Sequence, residues 1–272
     1  MTRWLRIGLG TIICSYALLP LYLMVLSAVR PPDELSRVPP SWLPNSISFR
    51  NFTEIWTALP LARYLANSAI VAAGTALLAV TISALAAYSI VRFRSRWSGA
   101  VMAFVLFTLT VPTIVILVPF YQLLTTLGLL ESRTGLALSY SVWAIPFNTL
   151  LLRGYFHSAY PTEIEEAALV DGCSRLSVLW RIVLPLSRPG LLAAATFTVL
   201  LAWNEFLWAS VITTGDDVRT ATVGIQLFVG QFGNNENLGL WMAAAVCLTV
   251  PVVVGFLTLQ KHLVTAYSGV GR

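Results

Sequence analysis

The sequence predicts an all-α polytopic membrane protein, and three observations carry that prediction. Only 11% of its 272 residues are charged and 57% are hydrophobic, with a mean hydropathy of +0.77, whereas soluble domains average roughly 25% charged. Apolar stretches long enough to cross a bilayer as helix, ~20 residues each, recur along the whole chain. Lys and Arg gather in alternate connections between those stretches, as the positive-inside bias demands. The expectation is a single transmembrane domain over residues 1–272 with six spans, near 7–29, 67–91, 99–123, 135–156, 190–212 and 240–263, and one long loop at 157–189.

Orientation follows from charge. With both termini cytoplasmic, eleven basic residues fall inside and six outside, while the acidic ones run four inside, seven outside and one within a span. The tight Arg92, Arg94, Arg96 cluster places the connection after the second span on the cytoplasmic side. Topology therefore accounts for the net charge of +5, and no nucleic-acid partner is expected.

Taken in order, the first span follows Arg3 and Arg6 and reads either as a signal peptide or as an uncleaved anchor. Its apolar stretch is longer than a signal-peptide core, which favours the anchor. Pro31, Pro32, Pro39, Pro40 and Pro44 then argue for a stiff, extended path, because proline resists helix. Phe52, Ile55, Trp56 and Leu59 recur at helical spacing, either as an interfacial helix or as one packed on the protein's own rim. Pro112 and Pro119 interrupt the third span near Gln122, and Pro146 interrupts the fourth near Asn148. Proline frees backbone carbonyls and kinks a helix, which suits a translocation cavity or, equally, an irregularity of packing. Ala193, Ala194 and Ala195 let the fifth span approach a neighbour closely.

Glu205 is the only ionisable side chain well inside a span. A lone charge there costs ~2.5–3.5 kcal/mol on insertion scales, so it must pair, protonate or face water. Trp203, Asn204 and Trp208 surround it in sequence. Aromatic faces beside hydrogen-bonding groups suit a sugar, which makes Gln122, Asn148, Trp203, Asn204, Glu205 and Trp208 candidates for the solute pathway. Bonding of Glu205 to a neighbouring subunit near the outer interface is the competing use. Beyond this span, Gly215-Asp216-Asp217 and Gly230-Gln231-Phe232-Gly233-Asn234-Asn235 supply turn residues.

The loop at 157–189 is polar yet built as a folded object. Thr162 and Glu165 have the spacing of a capping box. Glu163, Glu165 and Glu166 crowd the positive end of a helix dipole. Gly172 offers a left-handed stop, and Ser174 caps a second short helix that ends before Pro185. The spacing predicts a helix–turn–helix platform on the membrane surface.

Glu166-Ala167-Ala168, Gly172, Ile182, Leu184-Pro185 and Pro189 resemble the EAA loop of bacterial ATP-binding-cassette importer permeases. Leu179 stands where that family usually has Phe, and Cys173 where it usually has Ala. The Asn67-Ser68 entry to the second span, the Trp203–Trp208 run, the Gly230–Gly233 loop and the tail resemble its carbohydrate branch, the partner subunits of maltose-type permeases. The resemblance implies a type I ABC-importer permease fold with a cytoplasmic coupling helix. It implies that Glu165, Glu166, Ala167, Ala168, Asp171, Gly172, Leu184 and Pro185 couple to an ATPase. The implied partners are a second, different permease, two ATPase subunits and an extracytoplasmic solute-binding protein, in the bacterial cytoplasmic (inner) membrane. The implied cargo is a di- or oligosaccharide, a polyol or a glycerophosphate-type solute. The tail Lys261–Arg272 either reaches toward the ATPase dimer or is disordered.

No Gly-x-x-x-x-Gly-Lys-Ser/Thr run occurs and the single lysine is Lys261, so ATP and Mg²⁺ are expected on the partner ATPases, with no cofactor in this chain. Cys14, Cys173, Cys247, His157 and His262 are scattered and predict neither disulfide nor metal site. No nucleophile–base pair is apparent and no catalytic residue is expected. Two other classes compete: an ion-coupled secondary transporter using Glu205, and a membrane scaffold. The first leaves the folded loop unexplained and shows no internal repeat; the second has no need of kinked, polar spans.

Overall fold

The computed structural model describes residues 3–35, 41–93, 96–158, 162–232 and 237–269, and among them the ordered elements are all helices. Arg37, Pro39, Pro40, Arg94, Gly233, Asn234, Asn235 and Arg272, singled out above, lie outside the described residues. In chain order the helices are α1 (Arg3–Ala28), α2 (Pro32–Leu35), α3 (Arg50–Ala58), α4 (Leu61–Arg92) and α5 (Ser98–Thr110). There follow α6 (Thr113–Thr126), α7 (Arg133–Ser158), α8 (Thr162–Val170), α9 (Arg175–Val178) and α10 (Leu184–Leu186). The last are α11 (Arg188–Asn204), α12 (Leu207–Ile212), α13 (Ala221–Phe232) and α14 (Leu238–Gly269). A π-helical turn, Leu179–Val183, joins α9 to α10.

Within α1, α4, α7 and α14 the segments Trp4–Ala28, Leu61–Arg92, Arg133–His157 and Leu238–Thr258 are long and apolar enough to cross a membrane. Two further stretches qualify only as bent pairs. Helices α5 and α6 meet at 100°, and the Arg175–Leu186 stretch meets α11 at 78°. Counting each pair as one span brings the total to six. The expected third span is thus broken rather than kinked. Pro112 has no N–H to continue α5, and it pushes Val111 to φ −74°, ψ 122°, out of helical geometry. The bend into α11 falls instead at Ser187 (φ −91°, ψ 11°): Leu184 stays helical before Pro185, and Pro189 sits in the first turn of α11, where a missing N–H has no helical partner to lose.

Residue contacts divide the chain into two compact units, residues 1–65 with 220–252, and residues 66–219 with 253–272. In the first unit, the link after α1 is held by buried charge. Arg30 lies 3.6 Å from Glu34 and donates to the Ser41 Oγ and to the carbonyls of Ser41 and Leu43. Glu34 accepts the Asn45 N–H at 2.8 Å, which holds its carboxyl below the ordinary value against the opposing effect of burial. Pro31 and Pro32 do not enforce an extended path here: Pro32 begins the one-turn helix α2, since proline fits a first turn whose N–H has no partner anyway. Ile55 of α3 is fully buried with Leu61, Ile225 and Ala244, while Trp56 remains exposed. Helix α3 therefore packs on its own unit through one face.

The second unit contains the platform predicted for residues 157–189. Its core joins Ala84, Ala87 and Tyr88 of α4, Leu152 and Phe156 of α7, Ala168 of α8, and Val178, Leu179 and Val183 beyond it. Ala194 of α11 completes that core, which gives the alanine run a packing role.

Candidate functional site

Helix α8 ends where the glycine signal placed its end. Gly172 sits at φ +84°, and Cys173 N–H and Gly172 N–H reach back to the carbonyls of Ala168 (3.0 Å) and Leu169 (3.1 Å). Ser174 then caps α9, its Oγ accepting the Ser177 N–H at 3.2 Å. The π-helical turn follows, with Leu184 N–H bonded to the Leu179 carbonyl; the end expected before Pro185 is overrun, since Pro185 lies within α10 and the Ser187 N–H still reaches the Val183 carbonyl at 2.9 Å.

Glu165 departs from expectation. Its carboxylate does not serve a capping box with Thr162; it is buried and turned toward α4. Oε1 accepts from Arg92 Nε at 2.6 Å and Oε2 from the Tyr88 hydroxyl at 3.2 Å. Arg92 Nη2 also donates to the Phe156 carbonyl of α7 at 3.3 Å. Burial is the reason: a carboxylate taken out of water needs a full complement of donors, and α4 offers a guanidinium and a phenol. Arg92 and Tyr88 are functional candidates that sequence reasoning missed, Arg92 having been read only as a topology charge. Of the other residues assigned to coupling, Glu166, Ala167, Asp171, Gly172 and Pro185 are exposed, Leu184 is half-buried and Ala168 faces the core. The exposed edge is apolar as well as acidic: Ile164, Val170, Leu176 and Trp180 all face out.

The second constellation surrounds Glu205, where the expected fifth span is interrupted. Asn204 ends α11, and α12 starts at Leu207. The Glu205 carboxylate accepts the N–H groups of Trp208 (2.9 Å) and Ala209 (3.0 Å), so it caps α12. That answers how the charge is tolerated: two backbone donors of a helix N-terminus neutralise it in part. Trp208 is fully buried, edge-on to Trp143 (centroids 4.7 Å apart) and tilted against Phe120 (5.4 Å). The buried Tyr140 hydroxyl lies within electrostatic reach of the Glu205 carboxylate but makes no hydrogen bond among the described residues. Among the described residues the indole N–H groups of Trp143 and Trp208 have no hydrogen-bond partner.

The structure thus joins Glu205 with Trp208 and adds Tyr140, Trp143 and Phe120, which sequence spacing had not marked. Gln122 is exposed two residues beyond Phe120 on α6. Trp203 is buried on α11, and Asn204 is exposed and donates to the Leu200 carbonyl at 2.8 Å. Asn148 stands apart from this cluster, fully buried and donating to Thr198 Oγ1 at 2.7 Å.

A polar clasp holds the loop after α12. Glu131, at φ 52°, accepts the Thr214 N–H (2.7 Å), the Thr214 hydroxyl (2.5 Å) and the Gly215 N–H (3.1 Å). Partial burial alone would raise its carboxyl, but these donors and the Arg219 charge outweigh that and leave it below the ordinary value. Asn67 donates to the carbonyls of Asp217 and Arg219 and accepts from Arg133 Nε at 2.8 Å. No group of three or more His, Cys, Asp or Glu is placed to hold a metal ion among the described residues.

Four long apolar helices and two bent pairs that pass the same test define an α-helical membrane protein. The particular family follows from sequence comparison: residues 79–268 match the binding-protein-dependent transport system inner membrane component, and the chain belongs to that family. It is 32% identical over 267 residues to the sulfoquinovosyl glycerol transport system permease protein SmoH of Agrobacterium fabrum, covering 98% of this chain and 93% of that one. It is 37% identical over 205 residues to the trehalose/maltose transport system permease protein MalG of Thermococcus litoralis, covering 75% and 73%. The fold is similar to a chain in the crystal structure of a bacterial ABC transporter involved in the import of the acidic polysaccharide alginate. That superposition has a TM-score of 0.81 and covers 96% of this chain and 98% of that chain, at 22% identity. The importer-permease fold implied by the EAA-loop resemblance is therefore the fold observed.

Proposed function

We propose that this chain is a permease subunit of an ATP-driven importer for sugars or sugar-like solutes, coupled to its ATPase through the α8–α10 platform. The observation that carries the reading is that platform itself: a folded, exposed helix–turn–helix between apolar spans, in a chain of the binding-protein-dependent family. Relatives whose names specify a sugar glycerol or trehalose/maltose support the solute class. A di- or oligosaccharide, polyol or glycerophosphate-type compound fits that range.

In this reading the whole chain is one permease domain of the bacterial cytoplasmic membrane, with both termini inside. It performs no chemistry; ATP and Mg²⁺ belong to two ATPase subunits, and a second, different permease and a solute-binding protein complete the importer. Glu166, Ala167 and Asp171 present a slim acidic edge to an ATPase groove, and Ile164 and Val170 add apolar contact. Gly172 fixes the turn from α8 to α9, so the platform moves as a body when the ATPases close. The two nucleotide-biased states then expose the pathway to one side or the other. Glu205, Trp208, Trp203, Asn204, Asn148 and Gln122 remain the residues assigned to that pathway. Glu205 already serves as the cap of α12, a use that an ion-coupled carrier would need to interrupt.

Tagged purification from the native host in mild detergent, with co-eluting chains weighed, tests the assignment. An ATPase, a second permease and a binding protein are expected, and the binding protein should then bind a sugar. A lone chain or homodimer without ATPase, persisting after crosslinking in cells, would sink the reading.

A further inference from the structure

Among the charges of the platform, one pair is buried. Glu163 and Glu166 are exposed, whereas the side chains of Arg92 and Glu165 retain only 11% and 6% of their surface. Helix α8 otherwise meets the core through Ala168, with Leu169 packed beside it. Its opposite face is open, Val170 being 87% exposed. Most of what attaches this helix to the spans is therefore polar and directional.

The attachment has three points. Arg92 is the last residue of α4; its Nε bonds to Glu165, and its Nη2 bonds to the Phe156 carbonyl two residues before α7 ends. Tyr88, one turn earlier on α4, closes on the second oxygen of Glu165. A guanidinium is planar and rigid, so bonds from Nε and Nη2 fix the separation of the two groups they reach. A buried ion pair rarely stabilises more than a well-packed apolar pair of similar volume. What it adds over leucine and methionine is geometry: α8 cannot slide along α4 without breaking named bonds.

We propose that Arg92 is a positioning residue for coupling: through Glu165 it pins α8 to the ends of α4 and α7, and it carries displacement of α8 into both spans. The inference rests on the reading of α8 as the helix held by the ATPase. A larger apolar patch would transmit force too, but it would let α8 rotate or slip under load. The guanidinium bridge delivers the same displacement to two helices at once.

The test uses the complete importer, purified with its partner chains and reconstituted in liposomes, with solute uptake and ATP hydrolysis measured together. Arg92→Gln should lower solute imported per ATP by about tenfold, within the span of typical coupling effects. Glu165→Gln should do the same. Because the pair acts as one device, the double variant should lose no more than the worse single. A merely structural role would lower the yield of complex and leave the ratio alone. Wild-type import per ATP in Arg92→Gln overturns the proposal, and so does a double variant whose loss is the product of the two single losses. If the singles fail to accumulate, the double variant, which leaves no buried charge unpaired, carries the test: a wild-type ratio there overturns it as well. A wild-type preparation lacking any ATPase sinks the importer assignment itself, and the role of Arg92 with it.

Discussion

Replacing Glu205 by glutamine removes the charge and leaves one carbonyl oxygen where two carboxylate oxygens accepted separate N–H groups. In the native chain those donors are Trp208 (2.9 Å) and Ala209 (3.0 Å), both fully buried residues, so water is a poor substitute for either. A buried donor left unpaired costs ~1–3 kcal/mol, and glutamine strands one of the two, which sets the loss near 1–2 kcal/mol. Alanine strands both and should cost about 2–4 kcal/mol by the same reasoning. For a chain of this size each kcal/mol moves the melting temperature by roughly 2–4 °C. Thermal unfolding of the purified complex in detergent should rank native above Glu205→Gln above Glu205→Ala. Uptake should fall in the same order while the subunits still co-purify, because a bias of 1–2 kcal/mol changes a two-state ratio by a factor of about 5–30. Equal melting temperatures for native and Glu205→Ala would refute the cap, whatever happened to transport.

Gly172→Val should destabilise by ~1–2 kcal/mol through backbone strain alone, because a Cβ there meets nothing within 4 Å; Gly172→Asn should be tolerated far better, and uptake by Gly172→Val at the native rate would show that the turn is dispensable. Gly224→Ala drives its methyl into the ring of the buried Tyr64 and should cost ~1–3 kcal/mol as overpacking, recovered in part by Tyr64→Leu and measured as a melting shift. The Glu131 clasp should be sensitive to acid. Its carboxyl lies below the ordinary 4.5 in the folded chain, so its contribution is complete above that value and is lost as pH falls through the lower, folded one. Amide exchange at Thr214 and Gly215 should therefore accelerate below pH 4.5, beyond the intrinsic trend, and Glu131→Gln should abolish that excess.

Local signals were legible where the partner lay within a few residues. Gly172 as a left-handed stop, Ser174 as a cap, and Pro112 as an interruption each follow from backbone chemistry at one position. What the one-dimensional pattern hid were partners distant in the chain. Thr162 and Glu165 have capping-box spacing, yet Glu165 answers to Arg92, 73 positions away, because α8 lies against the end of α4. Tyr140, Trp143 and Phe120 were invisible for the same reason: aromatic residues in apolar spans look alike until one sees which of them meet Trp208. The apolar pattern pauses at Asn204-Glu205 and resumes at Phe206, and the pattern alone does not distinguish a continuous span carrying two polar residues from a broken one. Only the carboxylate of Glu205, which needs donors, hinted at the break.

The two interruptions differ in kind. At Pro112 one helical hydrogen bond cannot form in any rearrangement, since proline has no N–H, although α6, α7 and α14 run on through Pro119, Pro146 and Pro251. At Glu205 every donor needed for a continuous helix is present. If residues 204–209 became helical, the N–H groups of Trp208 and Ala209 would turn to the carbonyls of Asn204 and Glu205, four residues back. They would release the Glu205 carboxylate. The two N–H groups would exchange partners, but the Glu205 carboxylate would give up both of its backbone donors, so the continuous form requires that carboxylate to find water, a proton or another donor.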